Sequence, residues 1–360
     1  WLKRGSSQVP AMGHMVALCL VVFVGFAVAA VAEGSQTSSS TASESCNLEG
    51  ALESLDPPEA LAAIGNASRI EEQEVALQRL VLYLRDGDTR LVRPSPSAKT
   101  AARQVEVSRA GLIPAVVKAL EMGSWRSRAA AAEVVHLLTT NSPQNRDAFA
   151  AAHVIEPLVN LFWSSNMTSD PLPLETEEDV RAGEEALESM WILAFAGGEN
   201  SGNIYKMRDG LQTPAVRLGL GDVVLRGRSS RAKMWACSAI GNIAAKYVSV
   251  PAQVSEAFRQ GIVAQEGLVE ELIRLAKIGP VSPQTPRDRW PSQALHTQRQ
   301  AEEIIPWGAL HALKSLALSI ASHERLREAG LAEVAYQHLA SPDWLEKMKS
   351  GMALQNLASA

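Results

Sequence analysis

The stretch AGLIPAVVKAL, from Ala110 to Leu120, returns in altered form four more times along the chain. Its relatives are AHVIEPLVNLF from Ala152, DGLQTPAVRLGL from Asp209, EGLVEELIRLA from Glu266 and AGLAEVAYQHL from Ala329. Apolar residues recur three and four positions apart in each copy, which is the spacing of one buried helix face. A single column near the start is filled by Gly111, His153, Gly210, Gly267 and Gly330. The pattern predicts a helix that is entered through a tight turn and tolerates proline in its first turn.

A second helical pattern follows each copy. The five examples are RAAAAEVVHLL from Arg128, ALESMWILA from Ala186, WACSAIGNIA from Trp235, GALHALKSLA from Gly308 and GMALQNLA from Gly351. Small residues in the shared theme A-[ILVM]-x-x-[ILV]-A let neighbouring helices approach closely. One such unit cannot bury its own apolar face, so neighbours must stack and share a continuous core. The prediction is an all-α fold, and a composition of 46% hydrophobic and 20% charged residues is ordinary for a globular protein.

These two patterns, together with NRDAF at 145–149, resemble the armadillo repeat family. The resemblance implies a right-handed α-solenoid of about five to six repeats, with the A-L-x-N-L-A helices lining a groove. Residues 66–110 are predicted as a degenerate N-terminal repeat or cap, and 111–360 as the armadillo-like repeats. The family contributes no catalytic residue. No polar capping repeat follows the last groove helix, so we expect another subunit or further chain on that end.

Three stretches lengthen the repeats before their groove helices. They are 163–180, 219–232 and 279–293, and insertions repeated at one loop position fall on one edge of a solenoid. Tolerated surface elaboration is the alternative, because loops accept insertions at small cost. Trp290 is a candidate contact residue in the third insert, since tryptophan is enriched at interface hot spots. Packing of Trp290 back onto its own helices is the alternative.

A polar stripe is predicted along the groove helices, taking the asparagine column as its marker. One helix face recurs at the spacings of three and four residues that define an α-helix. A stripe of this kind can bind a partner segment through hydrogen bonds; a solvated face, or one filled by the chain's own tail, is the alternative. The predicted protein-binding groove consists of Arg128, His136, Arg181, Glu185, Glu188, Arg231, Trp235, Ser238, Asn242, His311, Ser315, Lys349, Met352 and Asn356.

The N-terminal segment 1–32 is predicted as a signal peptide or a retained signal anchor. Residues 15–32 are uncharged and mostly apolar, and Ala30-Val31-Ala32 fits a small-x-small cleavage pattern. A polar linker, 33–65, follows. Cleavage would place the protein in the endoplasmic-reticulum lumen or outside the cell, whereas an uncleaved segment would anchor it, and organelle import is a third route. Candidate N-glycosylation sites are Asn66 and Asn166, and a disulfide between Cys46 and Cys237 is left open.

Several chemistries lack their sequence signatures. There is no phosphate-binding G-x-x-x-x-G-K-[ST] loop, no G-x-S-x-G elbow and no His or Cys pair at metal-ligand spacing. The stretch GLGDVVLRG begins like a dinucleotide motif, but Val224 stands where the third glycine belongs. A net charge of −5 gives no basic field for nucleic acid. We therefore expect no enzyme activity, no cofactor, no metal, no small-molecule substrate and no nucleic-acid partner.

The leading functional prediction is a non-enzymatic scaffold or adaptor that binds protein partners through its groove and inserts. A narrower alternative comes from RSRAAAAEVVHLLTTNSPQNRDAF at 126–149, which is similar to a pattern in the armadillo-like exchange factors for Hsp70. That resemblance implies a lumenal protein that clamps the Hsp70 nucleotide domain and loosens ADP. A third alternative is a structural subunit of a membrane complex that is anchored by residues 15–32.

Overall fold

The computed structural model of the chain describes its helical part and not its N-terminal segment. All described residues fall within a unit that runs from Glu49 to Ala360. The leader, the polar linker and Cys46 lie outside them, so the disulfide left open between Cys46 and Cys237 stays untested. The described residues are 64, 70–85, 98–140, 142–164, 177–195, 210–245, 252–277 and 298–359.

Across these residues the chain forms fifteen α-helices and no strand. Their order repeats a triplet: α2, α5, α10 and α13 are first helices, α3, α6, α8, α11 and α14 are second helices, and α1, α4, α7, α9, α12 and α15 are third helices. One short 3₁₀ turn, Ile320–Ser322, precedes α13. The helices are α1 Ile70–Leu84, α2 Ala98–Arg109, α3 Leu112–Met122, α4 Trp125–Thr139, α5 Pro143–Ala151, α6 Ile155–Ser164, α7 Glu177–Ala194, α8 Pro214–Arg226, α9 Ser230–Ala244, α10 Ala252–Val263, α11 Leu268–Ala276, α12 Gln298–Leu316, α13 His323–Glu328, α14 Leu331–Leu339 and α15 Trp344–Ala358.

Left-handed turns begin the second helices, as the recurring column predicts. Gly111, Gly267 and Gly330 have φ values of 77°, 75° and 92°, and His153 holds the same column at 57°. A residue without a side chain adopts this conformation without strain, which explains why glycine recurs there. Gly210 departs from the rule, since Thr213 caps α8 three residues later and Pro214 begins the helix.

Third helices stack on one another from one end of the described chain to the other. α1 packs on α4, α4 on α7, α7 on α9, α9 on α12, and α12 on α15. Each of α3, α6, α8, α11 and α14 packs against the third helix that follows it. We call the surface formed by α1, α4, α7, α9, α12 and α15 the third-helix row. The predicted all-α solenoid of about five to six repeats is thereby confirmed.

The prediction of an inserted loop at 219–232 is wrong. Residues 219–226 continue α8, and 230–232 already belong to α9, so only 227–229 connect the two helices. α8 is two residues longer than α3 and begins three residues further from its column glycine, so most of 219–232 is helix and not a loop before α9. The insert at 163–180 contributes its last four residues to α7, while 165–176 and the insert at 279–293 lie outside the described residues.

The length and the hydropathy of the described helices bear on whether one of them could span a membrane. No single helix among them is both long enough and apolar enough to cross a bilayer. The segments Ile304–Leu316 and Ile320–Glu328 meet the criteria only as a pair that is bent by 119°.

Candidate functional site: the third-helix row

Most residues of the predicted groove are buried between consecutive third helices. Eight of them are almost wholly inaccessible: His136, Glu185, Glu188, Trp235, Ser238, Asn242, Ser315 and Lys349. Arg181 and Met352 are exposed, and the rest are partly buried. We call His136, Glu185, Glu188, Arg231 and Asn242 the polar seam; the first four form one network, and Asn242 bonds separately to α7 and α12. These side chains hold one helix to the next in this structure, and their role in binding a partner stays a prediction.

Arg231 joins α9 to α7 through three carboxylates. Its Nη1 lies 3.2 Å from Glu184 Oε2, and its Nη2 lies 3.0 Å from Glu185 Oε1 and 2.8 Å from Glu188 Oε2. Burial alone would lower the pKa of the guanidinium, but the three carboxylates outweigh it and raise that pKa. A guanidinium with several donors in a planar fork suits such a shared site better than an ammonium.

His136 extends the same network from α4. Its Nδ1 lies 3.1 Å from Glu188 Oε1. Burial opposes ionisation of Glu188, yet His136 and Arg231 together lower the pKa of this carboxyl to about 2. Burial also opposes protonation of His136, but Glu188 reverses that effect and raises the pKa of the imidazole. The seam therefore places an imidazole of raised pKa, a carboxylate and a guanidinium in series, which is typical of a structural ion network.

The two asparagines of the repeat column bind backbone rather than solvent. Asn242 Nδ2 donates to Trp191 O on α7 at 3.2 Å, and its Oδ1 lies 2.9 Å from His311 Nε2 on α12. Asn356 Nδ2 donates to Lys314 O at 2.9 Å in the same manner. Each amide thus satisfies the C-terminal end of the third helix before it, where carbonyl groups lack helical partners.

A second buried cluster lies between α12 and α15. Lys349 Nζ lies 3.0 Å from the ring centroid of Trp307, and His311 stacks on the same indole at 5.7 Å. Burial, reinforced by the charge of Lys314, lowers the pKa of Lys349 well below its usual range. Its ammonium has no hydrogen-bond acceptor among the described residues. The ring face is the principal stabilising contact of the charge in this structure.

The accessible charged part of the third-helix row lies at α1, α4 and α7. A cavity of about 380 Å³ opens there between Val81, Leu82 and Ala129, with three arginines around it. These are Arg85 from α1's C-terminal end, Arg126 from α4 and Arg181 from α7. Of these three arginines, only Arg181 is among the predicted groove residues. Arg126 shares the first turn of a groove helix with Arg128, so the repeat alignment held a signal for it.

Glu133 forms the floor of this cavity. Its Oε1 pairs with Arg85, and its Oε2 lies 3.7 Å from Arg181 Nη2. Burial, followed by the charge of Glu185, raises the pKa of Glu133 to about 7, although both arginines act in the opposite direction. Glu133 was not among the predicted groove residues. It stands three positions before His136 on the same helix face, which is the signal that could have identified it.

Arg128 lies apart from the polar seam. Its Nη2 donates to Glu121 O at 2.9 Å, and its guanidinium stacks over Trp125 at 5.4 Å. It lines a different cavity of about 530 Å³ together with Leu161 and Trp163. The grouping of Arg128 with the other groove residues is therefore wrong, because Arg128 points toward the second helices and not along the third-helix row.

Chemical groups for catalysis are sparse in the described part of the chain. It contains no cluster of three or more His, Cys, Asp or Glu side chains that could hold a metal. Cys237 forms no disulfide among the described residues, and its burial raises the pKa of its thiol to about 12, which disfavours a reactive thiolate at neutral pH. Trp290, Asn66 and Asn166 lie outside the described residues, so the predictions made for them stay predictions.

Comparison with solved structures identifies the fold. The designed armadillo repeat protein YIII(Dq)4CqI aligns with 84% of this chain and 100% of its own, at 17% identity and a TM-score of 0.58. The fold is that of the armadillo repeat solenoids. An engineered protein, Northeast Structural Genomics Consortium target OR329, aligns with 85% of this chain and 97% of its own, at 19% identity and a TM-score of 0.57.

A third similar structure is the designed armadillo repeat protein YIII(Dq.V1)4CPAF in complex with the peptide (KR)4. It aligns with 84% of this chain and 100% of its own, at 16% identity and a TM-score of 0.55. No protein-family model matches the sequence. No curated protein matches it either. The predicted armadillo resemblance is confirmed at the level of the fold.

Proposed function

We propose that the protein is a non-enzymatic scaffold that binds an extended segment of a partner protein along α1, α4 and α7. The observation that carries this proposal is the cavity with Arg85, Arg126 and Arg181 around it. The partner residue that enters it carries a carboxylate, because the three guanidiniums meet only two carboxylates among the described residues, buried Glu133 and Glu74, whose Oε1 lies 3.8 Å from Arg126 Nη1.

The exposure of the arginines supports this part of the row over the rest. The side chains of Arg126 and Arg181 are 60% and 63% exposed. By contrast, the buried Glu185, Glu188 and Arg231 of the polar seam are occupied by one another, and Asn242 is occupied by Trp191 O and His311. A partner would have to break buried ion pairs to use the seam, whereas at the cavity it adds acceptors to accessible donors.

The raised pKa of Glu133 favours an acidic ligand further. A carboxyl with a pKa of about 7 is partly protonated at neutral pH, and a protonated carboxyl repels an incoming carboxylate less. One solved relative is a designed armadillo protein in complex with the basic peptide (KR)4. We propose the same mode of binding here, with the sign of the charge reversed.

The test measures binding of two fluorescein-labelled peptides to the full chain by fluorescence anisotropy. One peptide alternates Ala and Glu, and the other alternates Ala and Lys. We expect the acidic peptide to bind and the basic peptide not to bind, and we expect affinity to fall with added salt because exposed charges are screened. Failure of the acidic peptide to bind, or equal binding of both peptides, overturns the proposal.

A pair of arginine variants locates the site. Arg181→Ala should weaken the acidic peptide about tenfold, the size of one lost charge-assisted hydrogen bond. Arg226→Ala is the matched control, since Arg226 is equally exposed and pairs only locally with Asp222 on α8. Equal weakening by both variants would mean that general charge, and not the cavity, attracts the peptide. The Hsp70, membrane-anchor and localisation predictions stay predictions.

A further inference from the structure

The carboxylate at the floor of the arginine-lined cavity is held loosely. Glu133 is 4% exposed, and its ion pair with Arg85 lacks the alignment of a hydrogen bond, so Oε1 is buried without a hydrogen-bond donor among the described residues. Its Oε2 lies 3.7 Å from Arg181 Nη2, which is beyond hydrogen-bond distance. Glu188 on α7 instead accepts from Arg231 at 2.8 Å. Of these two buried carboxylates, Glu133 is therefore the easier to protonate.

Charged groups on α1, α4 and α7 face Glu133. They are Arg85, Arg181, Glu185, Glu188 and His136. The helices α3 and α5 also pack against α4, but within the described part of the chain they supply none of the principal charges at this carboxyl. Burial and the two carboxylates of α7 outweigh the two arginines and raise the pKa of Glu133 to about 7.

A ligand carboxylate in the cavity competes with Glu133 for the same guanidiniums. Arg85 and Arg181 both line the cavity and both pair with Glu133, whereas Arg126 pairs with Glu74. When two carboxylates share one site, ionisation of both is costly, and the more deeply buried one retains a proton more readily. The ligand enters from solvent and Glu133 forms the floor, so Glu133 is the group that becomes neutral.

We infer that an acidic segment binds this cavity together with one proton, which Glu133 takes up from solvent, so that acidification tightens the complex. The inference rests on the proposed function, because it concerns the regulation of the same site. In the exchange, Arg85 and Arg181 pass from the Glu133 carboxylate to the ligand carboxylate. One proton moves from water to Glu133, and the neutral carboxyl can then donate a hydrogen bond through its O–H.

The direction of the pH dependence follows from linkage between binding and protonation. Affinity is highest below the pKa of about 7 that Glu133 has in the free protein, since the carboxyl is then already neutral. The ligand carboxylate raises this pKa further, so affinity falls as pH rises through 7, with a limiting slope of about tenfold per pH unit for one proton. Glutamates of the peptide ionise at about pH 4.3 and stay charged throughout this range.

His136 is a second group that would give a pH dependence of the same sign. Burial opposes its protonation, but Glu188 reverses that effect and raises the pKa of the imidazole. Its Nδ1 lies 3.1 Å from Glu188 Oε1, in the polar seam, and His136 is not among the residues that line the cavity. Variants at Glu133 and His136 therefore distinguish the two sources of the proton.

Isothermal titration calorimetry of the full chain counts the proton. The ligand is the peptide that alternates Ala and Glu, unlabelled and with blocked termini. Each titration is run in two buffers of different ionisation enthalpy, Tris and HEPES at about pH 8 and Bis-Tris and MES at about pH 6, and the difference in measured enthalpy gives the protons taken up. Phosphate is avoided because it binds arginine. We expect uptake approaching about one proton per peptide at the higher pH and much less at the lower pH.

The outcomes separate this inference from the proposed function. Binding of the peptide without proton uptake at either pH overturns the inference and leaves the proposed function standing. Absence of binding at both pH values overturns both. Because this measurement uses the wild-type chain, it does not depend on whether a variant folds.

Glu133→Gln removes the titrating group and nearly keeps its shape. We expect this variant to take up no proton and, at about pH 8, to bind the peptide about tenfold more tightly than the wild type. His136→Gln should still take up a proton. Glu270→Gln is the matched control and should behave as the wild type, since Glu270 pairs with Arg325 at 2.7 Å outside the cavity. Uptake that persists in Glu133→Gln, whether or not His136→Gln abolishes it, assigns the proton to another group and overturns the inference.

Discussion

At the scale of single residues, the buried charges of the third-helix row divide into paired and unpaired groups. Arg231 and His136 each pair with Glu188, and burial strengthens their mutual attraction. Lys349 has only the face of Trp307 and more distant carboxylates to offset its loss of water. Mutual attraction therefore offsets the desolvation of the paired groups, whereas the desolvation of the Lys349 amine is offset less.

Lys349→Met should stabilise the protein at neutral pH and remove a pH dependence. Because the pKa of Lys349 is lowered by folding, the unfolded chain binds more protons at neutral to mildly alkaline pH, so wild-type stability rises with pH in that range. Methionine keeps the contact with Trp307 and carries no charge. Urea unfolding at about pH 7 and about pH 9.5 should show this rise in the wild type and a smaller one in the variant.

Lys347→Met is the control for this change, since Lys347 lies two positions away on the same helix and is exposed. It should leave the pH dependence unchanged. A Lys349→Met variant that is less stable than the wild type at neutral pH would mean that the cation–π contact outweighs the desolvation of the ammonium.

At the scale of the helical elements, close approach between third helices depends on small residues. A Cβ built on Gly241 would lie 2.3 Å from His311 Cδ2, and His311 is itself held by Asn242. Gly351 on α15 has no neighbour within 4 Å of such a Cβ. Both glycines lie inside helices, so their intrinsic effect on helix stability is the same and their surroundings alone distinguish them.

Gly241→Ala and Gly351→Ala should consequently change stability in opposite directions. Alanine is about 0.5–1 kcal/mol better than glycine inside a helix, and Gly351→Ala should show this gain in thermal or urea unfolding. Gly241→Ala should instead destabilise by about 1–3 kcal/mol, because the His311 ring must move and weaken its bond to Asn242. Stabilisation by both substitutions would contradict the packing of α9 against α12.

At the scale of the whole described solenoid, each repeat contacts its immediate neighbours, so a defect should stay local. Trp235 lies in the middle of the third-helix row, is fully buried and stacks on Trp191 of α7 with ring centroids 4.7 Å apart. It was predicted as a groove residue, but its burial means that a substitution there reports on stability before it reports on binding.

Trp235→Ala should cost about 3–5 kcal/mol and loosen the middle of the solenoid selectively. Hydrogen exchange should accelerate in α7, α9 and α12, while α1, α3 and α4 keep most of their protection. The exposed Trp344 provides a control of the same chemistry, and Trp344→Ala should leave exchange in α9 unchanged. Uniform acceleration along the chain would indicate one cooperative unit instead of a one-dimensional stack.

Local patterns were sufficient to predict the fold. The column of Gly111, Gly267 and Gly330 marks left-handed turns, and the three-and-four spacing after each marks a buried helix face. Periodicity failed at residues 219–232, where extra length was assigned to a loop and is instead helix. Helical spacing continues through α8 to Arg226, so an alignment of repeats detects the added residues without showing which element contains them.

The sequence by itself determined that the chain forms stacked helical repeats and which residues face along the third helices, because helical spacing is a local property. The tertiary structure alone decided which of those residues are accessible. Asn242 and Arg231 are engaged because the preceding third helix, α7, brings acceptors within about 3 Å, while Arg85, Arg126 and Arg181 meet from three helices distant in sequence. Spacing within one helix does not show which helix will pack against it, and the burial of its side chains depends on that packing.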